Sequence, residues 1–183
     1  MKKNLYLLGL LIVACSAGCI GRAIREGYSG ATGATGRARP SQSVTANLAD
    51  YDAVVVEPFS DDSQGLGNEA FMAVLPAKIT EQIIQKTYLR HQGSKVLRIT
   101  GRLINYDPGT TTDKIASPME QAVCRVKLID AASGDVLGIA NCNSRAKSSF
   151  RKGPEELAEG IGKVIAKWII ENDIRGARPE EED

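Results

Sequence analysis

Apolar positions along this chain recur with two periods, and polar, glycine-bearing breaks separate them. Ala53-Val54-Val55-Val56 lies inside a β-branched run from Tyr51 to Phe59 that closes at Pro58, which predicts a buried strand. Ser60–Asn68 is polar and reads as a loop. Ile79, Ile83, Ile84 and Tyr88 then recur at helical spacing, opposite Lys78, Glu81, Gln82 and Gln85. Pro76 is expected near the start of that helix, where a missing N–H costs nothing, with Phe71–Leu75 as a separate turn or kinked extension. From Leu97 the period drops to two. Leu97, Ile99, Gly101 and Leu103 share one side, with Arg98, Thr100 and Arg102 on the other. Cys124, Val126 and Leu128 alternate likewise with Arg125 and Lys127. Asp130–Asp135 is a hairpin signal, and Val136–Cys142 its return strand. A last helix opens at Gly153-Pro154-Glu155-Glu156 and carries Leu157, Ile161, Val164, Ile165, Trp168 and Ile169 on one stripe.

The order strand, helix, three strands, helix predicts an α+β, two-layer sandwich. One crossover helix makes the first two strands parallel neighbours, and the remaining strands form an antiparallel meander. Each helix has a single apolar stripe, so both are expected on one face of the mixed sheet. The other face then carries Arg98, Thr100, Arg102, Arg125 and Lys127, either solvated or as a docking surface.

The N-terminus changes the picture from a plain domain to an exported one. Lys2 and Lys3 precede an apolar run from Leu5 to Ala14, about ten residues, where a membrane span needs ~20. Ile12-Val13-Ala14-Cys15 has the form of a lipobox, and Ser16-Ala17-Gly18-Cys19 is a second candidate. Lipid attachment is expected at Cys15, with Cys19 as the alternative, and an ordinary cleaved signal is the competing reading. This divides the chain into a signal peptide at 1–14, a Gly/Arg-rich flexible tether at 15–43, one domain at 44–175 and an acidic, disordered tail at 176–183. The tether has glycine at 27, 30, 33 and 36 and several arginines, and is expected to act as a spacer. Acyl chains would hold the protein to the membrane, with the outer membrane facing the periplasm the expected location.

Of 183 residues, 25% are charged and 43% hydrophobic, ordinary globular values. Losing Lys2 and Lys3 takes the formal charge from +1 to −1, with no concentrated basic block that would mark a nucleic-acid binder. His91, the one histidine, follows a helix end and reads as a solvated cap. Asp61 and Asp62 read as a solvated loop, since a calcium site needs more oxygens at fixed spacing. No cofactor and no metal are expected. If Asp130 pairs with Val136, then Cys124 faces Cys142 across the hairpin, and export permits a disulfide there. A one-residue slip, for instance a bulge at Gly134, would separate the two sulfurs and bring Leu137 and Ile139 to the core side.

Three segments carry a resemblance: Ala53–Phe59, Leu97–Tyr106 and Val126–Leu137. In these the chain resembles the uncharacterised bacterial lipoproteins grouped as domain of unknown function 4410, over about Val44 to Trp168. The resemblance implies export and an α/β sandwich and supplies no catalytic residue. The expected function is a non-enzymatic, membrane-anchored envelope lipoprotein with a binding or assembly-accessory domain. Its expected partner is an envelope protein or peptidoglycan. The alternative is a small-ligand or peptidoglycan-binding module with a pocket between the loops Ser60–Asn68 and Tyr106–Ser117, and an enzyme comes third.

Overall fold

The period-two segments do form strands. The computed structural model describes residues 34–63, 68–108, 120–146 and 153–179. Six strands form one sheet: β1 (Thr35–Gln42), β2 (Ala53–Val56), β3 (Ser60–Asp61), β4 (Val96–Asp107), β5 (Gln121–Asp130) and β6 (Val136–Arg145). The helices are α1 (Glu69–Lys86) and α2 (Pro154–Glu171), and a short 3₁₀ turn spans Leu48–Asp50. The spatial order is β1-β6-β5-β4-β2, with β3 also beside β4. β2 and β3 run parallel to β4, while β4, β5, β6 and β1 pair antiparallel. This is a mixed-sheet α+β fold.

Both helices lie on one face. Trp168, Ile161, Ile165, Ile169, Phe71, Leu75, Ile79 and Ile83 join Leu97, Ile99, Leu103, Val126 and Leu128 in one core. Each such side chain is worth ~1.5–3 kcal/mol when fully buried. Small residues let α2 come close. A Cβ on Gly160 would strike Ser144 Oγ and the Ala34 Cβ, and one on Gly162 would meet Lys78 O at 2.8 Å. The sheet also yields to an aromatic ring: the Gly101 position is filled by Phe59.

Four expectations are corrected. Residues 35–42, placed in the tether, form edge strand β1, so the folded unit begins at Ala34 rather than Val44. The glycine spacing that suggested a spacer includes Gly36, where a Cβ would collide with Asn143 O and Val164 Cγ2. That glycine is required by packing. Second, Pro76 lies inside α1 rather than at its start. The helix absorbs it because the Phe71–Leu75 turn is itself anchored, with Phe71 and Leu75 fully buried. Thr80 Oγ1 donates to Pro76 O at 2.8 Å. Third, Ser60 and Asp61 are not loop but a two-residue strand on β4. Fourth, the hairpin bulge is at Leu137, between the pairs Leu128–Gly138 and Ile129–Val136, and not at Gly134. This lets Leu137 turn inward (6% exposed) while the cysteines stay opposite each other.

The signal segment, Cys15, Cys19, the tether up to Gly33 and the acidic residues 180–183 lie outside the described residues. So does most of the loop from Tyr106 to Ser117. Residues 176–179, placed with the tail, are tied to the fold: Arg178 N donates to Lys86 O at 3.0 Å. No helix among the described residues is long and apolar enough to cross a membrane.

Candidate functional site: a cationic sheet face

The sheet face opposite the helices is the one the alternating strands leave polar. Pairing partners in neighbouring strands sit side by side and point the same way. Arg39 in β1 pairs with Asn141 in β6, Asn141 with Arg125 in β5, Arg125 with Arg102 in β4, and Arg102 with Ser60 in β3. One row thus crosses five strands and contains three arginines. The next row runs Ile139, Lys127, Thr100, and a third holds Ile129, Arg98 and Val55. At ~4.8 Å between strands, Arg102 and Arg125 stand next to each other with like charge.

Two of the cations are neutralised locally. Arg102 Nη1 donates to Asp62 Oδ2 at 2.8 Å, and Arg98 Nη1 lies 3.6 Å from Glu57 Oε1. Arg39, Arg125 and Lys127 make no ion pair among the described residues, and Lys127 is exposed. A cavity of about 440 Å³ opens between β3 and β6, walled by Arg102, Arg125, Lys127, Thr100, Ser60 and Ile139. It therefore combines guanidinium and ammonium donors, two hydroxyls and one apolar wall. Two polar atoms on this face are buried without a hydrogen bond, the donor Arg98 Nε and the acceptor Asn141 Oδ1. Chemically, this is an anion-accepting surface: guanidinium groups donate in pairs to carboxylate or phosphate oxygens.

The loop at the rim is built by Asp61. Its carboxylate accepts from Ser63 N and Oγ and from Asn68 Nδ2. The Ser63 hydroxyl and amide, with Asn68, hold its pKa below the usual carboxylate range. The acidic pair noted in the sequence is thus divided: Asp61 shapes the loop and Asp62 holds Arg102.

The fold is similar to that of PelC. The PelC dodecamer from Paraburkholderia phytofirmans, in space group P6, is 16% identical and matches over 72% of this chain and 96% of that one, with a TM-score of 0.52. A point variant of that PelC dodecamer, in space group C2, is 18% identical over 76% of this chain and 99% of that one, with a TM-score of 0.48. At these identities the likeness to PelC concerns the fold alone. No family model matches the chain, and no curated protein does.

The cysteine pair belongs to the other face. Cys124 and Cys142 are register partners, fully buried, and both free. Burial pushes both thiols up, Cys142 to about 12 and Cys124, with Cys142 beside it, further still. Neither is poised to act as a nucleophile at neutral pH. His91 is exposed beyond the end of α1. Arg98, Thr100, Arg102, Arg125 and Lys127 were all legible from the alternation. Arg39, Asn141, Ile139 and Ser60 were missed. Arg37-Ala38-Arg39 does alternate, but with a single small apolar residue as its only inward signal.

Proposed function

We propose that this chain is a lipid-anchored protein of the bacterial envelope, held at the outer membrane and facing the periplasm, whose domain works by binding rather than by catalysis. The docking surface is the uncovered sheet face. One observation carries the reading: Arg39, Arg125 and Lys127 are gathered on the face that neither described helix covers, and none of the three makes an ion pair among the described residues. Gathering like charges side by side disfavours the fold, so an anionic partner is the natural complement. The lipobox at Cys15, with Cys19 as the alternative, supports anchoring.

Two measurements test this. Mass spectrometry of the mature N-terminus is expected to find a diacylglyceryl-modified cysteine, and an unmodified peptide starting at Ser16 or beyond would remove the anchor. Calorimetric titration with polygalacturonate is expected to show salt-sensitive binding that Arg125→Gln with Lys127→Gln abolishes. Equal binding by that variant would remove the face. The roughly 440 Å³ cavity favours one second reading, a module for a small anionic ligand such as a muropeptide carboxylate. Tight binding of a monomeric muropeptide with none of the polymer would select it.

A further inference from the structure

This inference rests on the reading of the cationic face as a docking surface. We propose that the face receives the acidic run Glu180-Glu181-Glu182-Asp183 of a second copy of the same chain.

Charge supplies the match. Four consecutive carboxylates stand in a chain whose formal net charge is −1 once Lys2 and Lys3 are lost, so the remainder of that chain carries an excess of cations. Three of those cations, Arg39, Arg125 and Lys127, are unpaired among the described residues and share one sheet face. An extended acidic strand laid across β1, β6 and β5 would meet Arg39 and Arg125 two strand spacings apart, ~9.6 Å, with Lys127 two residues along β5 from Arg125. Carboxylates on guanidinium and ammonium groups form the short, charge-assisted class of hydrogen bond.

Reach excludes the chain's own run. The polypeptide leaves the fold on the helix side. Arg175 Nη2 donates to Tyr51 O at 3.1 Å and Leu48 O at 3.3 Å, and Arg178 N donates to Lys86 O at 3.0 Å. Lys95 Nζ stands over the Tyr51 ring, 4.6 Å from its centre, so the exit lies at the end of the sheet where β4 begins. Thr100, the partner of Lys127, lies five residues beyond Lys95 along β4, ~17 Å at ~3.3 Å per residue, and Arg102, the partner of Arg125, seven residues, ~23 Å, with both cations on the opposite face of the sheet. Four residues past Pro179 span at most ~14 Å. A neighbour's run has no such restriction. The contact joins two different surfaces, so repeated copies would either close a ring or extend as a filament.

The test uses full-length protein in detergent micelles, mixed as equal amounts of natural and ¹⁵N-labelled chains and treated with a zero-length carbodiimide cross-linker. The expected product is a peptide joining Lys127 Nζ to the Glu180–Asp183 segment, carrying mixed isotopes in the statistical proportion. It should fade at high salt. It should disappear in the variant Glu180→Gln, Glu181→Gln, Glu182→Gln, Asp183→Asn, whose sedimentation should shift toward the single chain. With the neighbouring copy's competing run gone, that variant should bind polygalacturonate several-fold more tightly. A Lys127 cross-link carrying one isotope only, or none to this segment, overturns the inference. If polygalacturonate still binds in that case, the occupant is an envelope polyanion and the docking reading stands. If neither wild type nor the tail variant binds it, the docking reading itself has failed.

Discussion

The two faces of this sheet share the same strands and differ in what their residues are asked to do. On the helix side, Leu97, Ile99, Leu103, Val126 and Leu128 are fully buried beneath Trp168 and Ile165. One residue along each strand, Arg98, Thr100, Arg102, Arg125 and Lys127 remain half-buried or exposed. The first face holds the fold together through area removed from water and close fit. The second contributes little to stability and concentrates charge. Burial and surface charge are thus separated by the two-residue period of a β-strand, so substitutions on either side should have separable effects.

The largest effect is expected at the centre of the covered face. Trp168→Ala removes the largest fully buried side chain and should cost ~3–5 kcal/mol in denaturant unfolding. A loss under ~1 kcal/mol would mean that α2 is not the keystone of this layer. Close approach comes next. Gly160→Val places a branched side chain against Ser144 and Ala34 and should cost ~1–3 kcal/mol through overpacking, seen as a lowered Tm. Cys124→Ser should cost ~1–3 kcal/mol by leaving a buried hydroxyl among Leu103, Val126 and Cys142. In the parent protein, Cys124 and Cys142 should react with an alkylating reagent only after denaturation. Failure to react even then, without reductant, would show them bonded.

Acid should weaken the fold through its ends rather than its faces. Asp52 accepts from Ser94 N, Ser94 Oγ and Lys95 N, which brings its pKa from the usual 3.8 to about 2. Asp130 is held low by the amide of Ser133, by the Tyr51 hydroxyl and by the amide of Ala132. At Asp173, burial works against the charge, but Arg175 outweighs it and the pKa again falls. Each folded pKa lies below its unfolded value. The stabilisation is therefore complete above about pH 4 and is lost as pH falls toward about 2. Chemical denaturation between pH 2 and 6 should show stability declining only below about pH 4, and Asp52→Asn should flatten that decline. The smallest effect on stability belongs to the open face. Arg125→Gln with Lys127→Gln should change unfolding by less than ~0.5 kcal/mol while abolishing polyanion binding. A stability loss as large as that of Gly160→Val would erase the distinction between the two faces.

Much of the covered face could be read directly. The stripe from Leu157 to Ile169 and the alternation from Leu97 to Leu128 are each dictated by a local period, and every residue of the helical stripe is buried. The cations from Arg98 to Lys127 follow by the same alternation. β1 could not be read this way. Thr35-Gly-Arg-Ala-Arg-Pro-Ser-Gln has almost no apolar signal, because an edge strand beneath the middle of α2 needs only a glycine at 36, against Val164, and a small residue at 38. Its strand character comes from pairing with β6, a partner a hundred residues away. Pro76 misled for a related reason: local propensity disfavours it inside a helix, and only the burial of Phe71 and Leu75 on its N-terminal side keeps the helix continuous.

By itself, then, the sequence determined the elements whose burial is periodic, the parallel first crossover, the placing of both helices on one side, and the polar character of the other side. These follow from how side chains project from helices and strands, and need no knowledge of neighbours. Only the tertiary structure decided that the folded unit begins at Ala34, that the hairpin bulges at Leu137, and that Arg39 joins Arg125 and Arg102 in a single row. Those are matters of register between distant segments, set by pairing and by the fit of Gly36, Gly160 and Gly162 against their neighbours, and a local pattern carries no record of them.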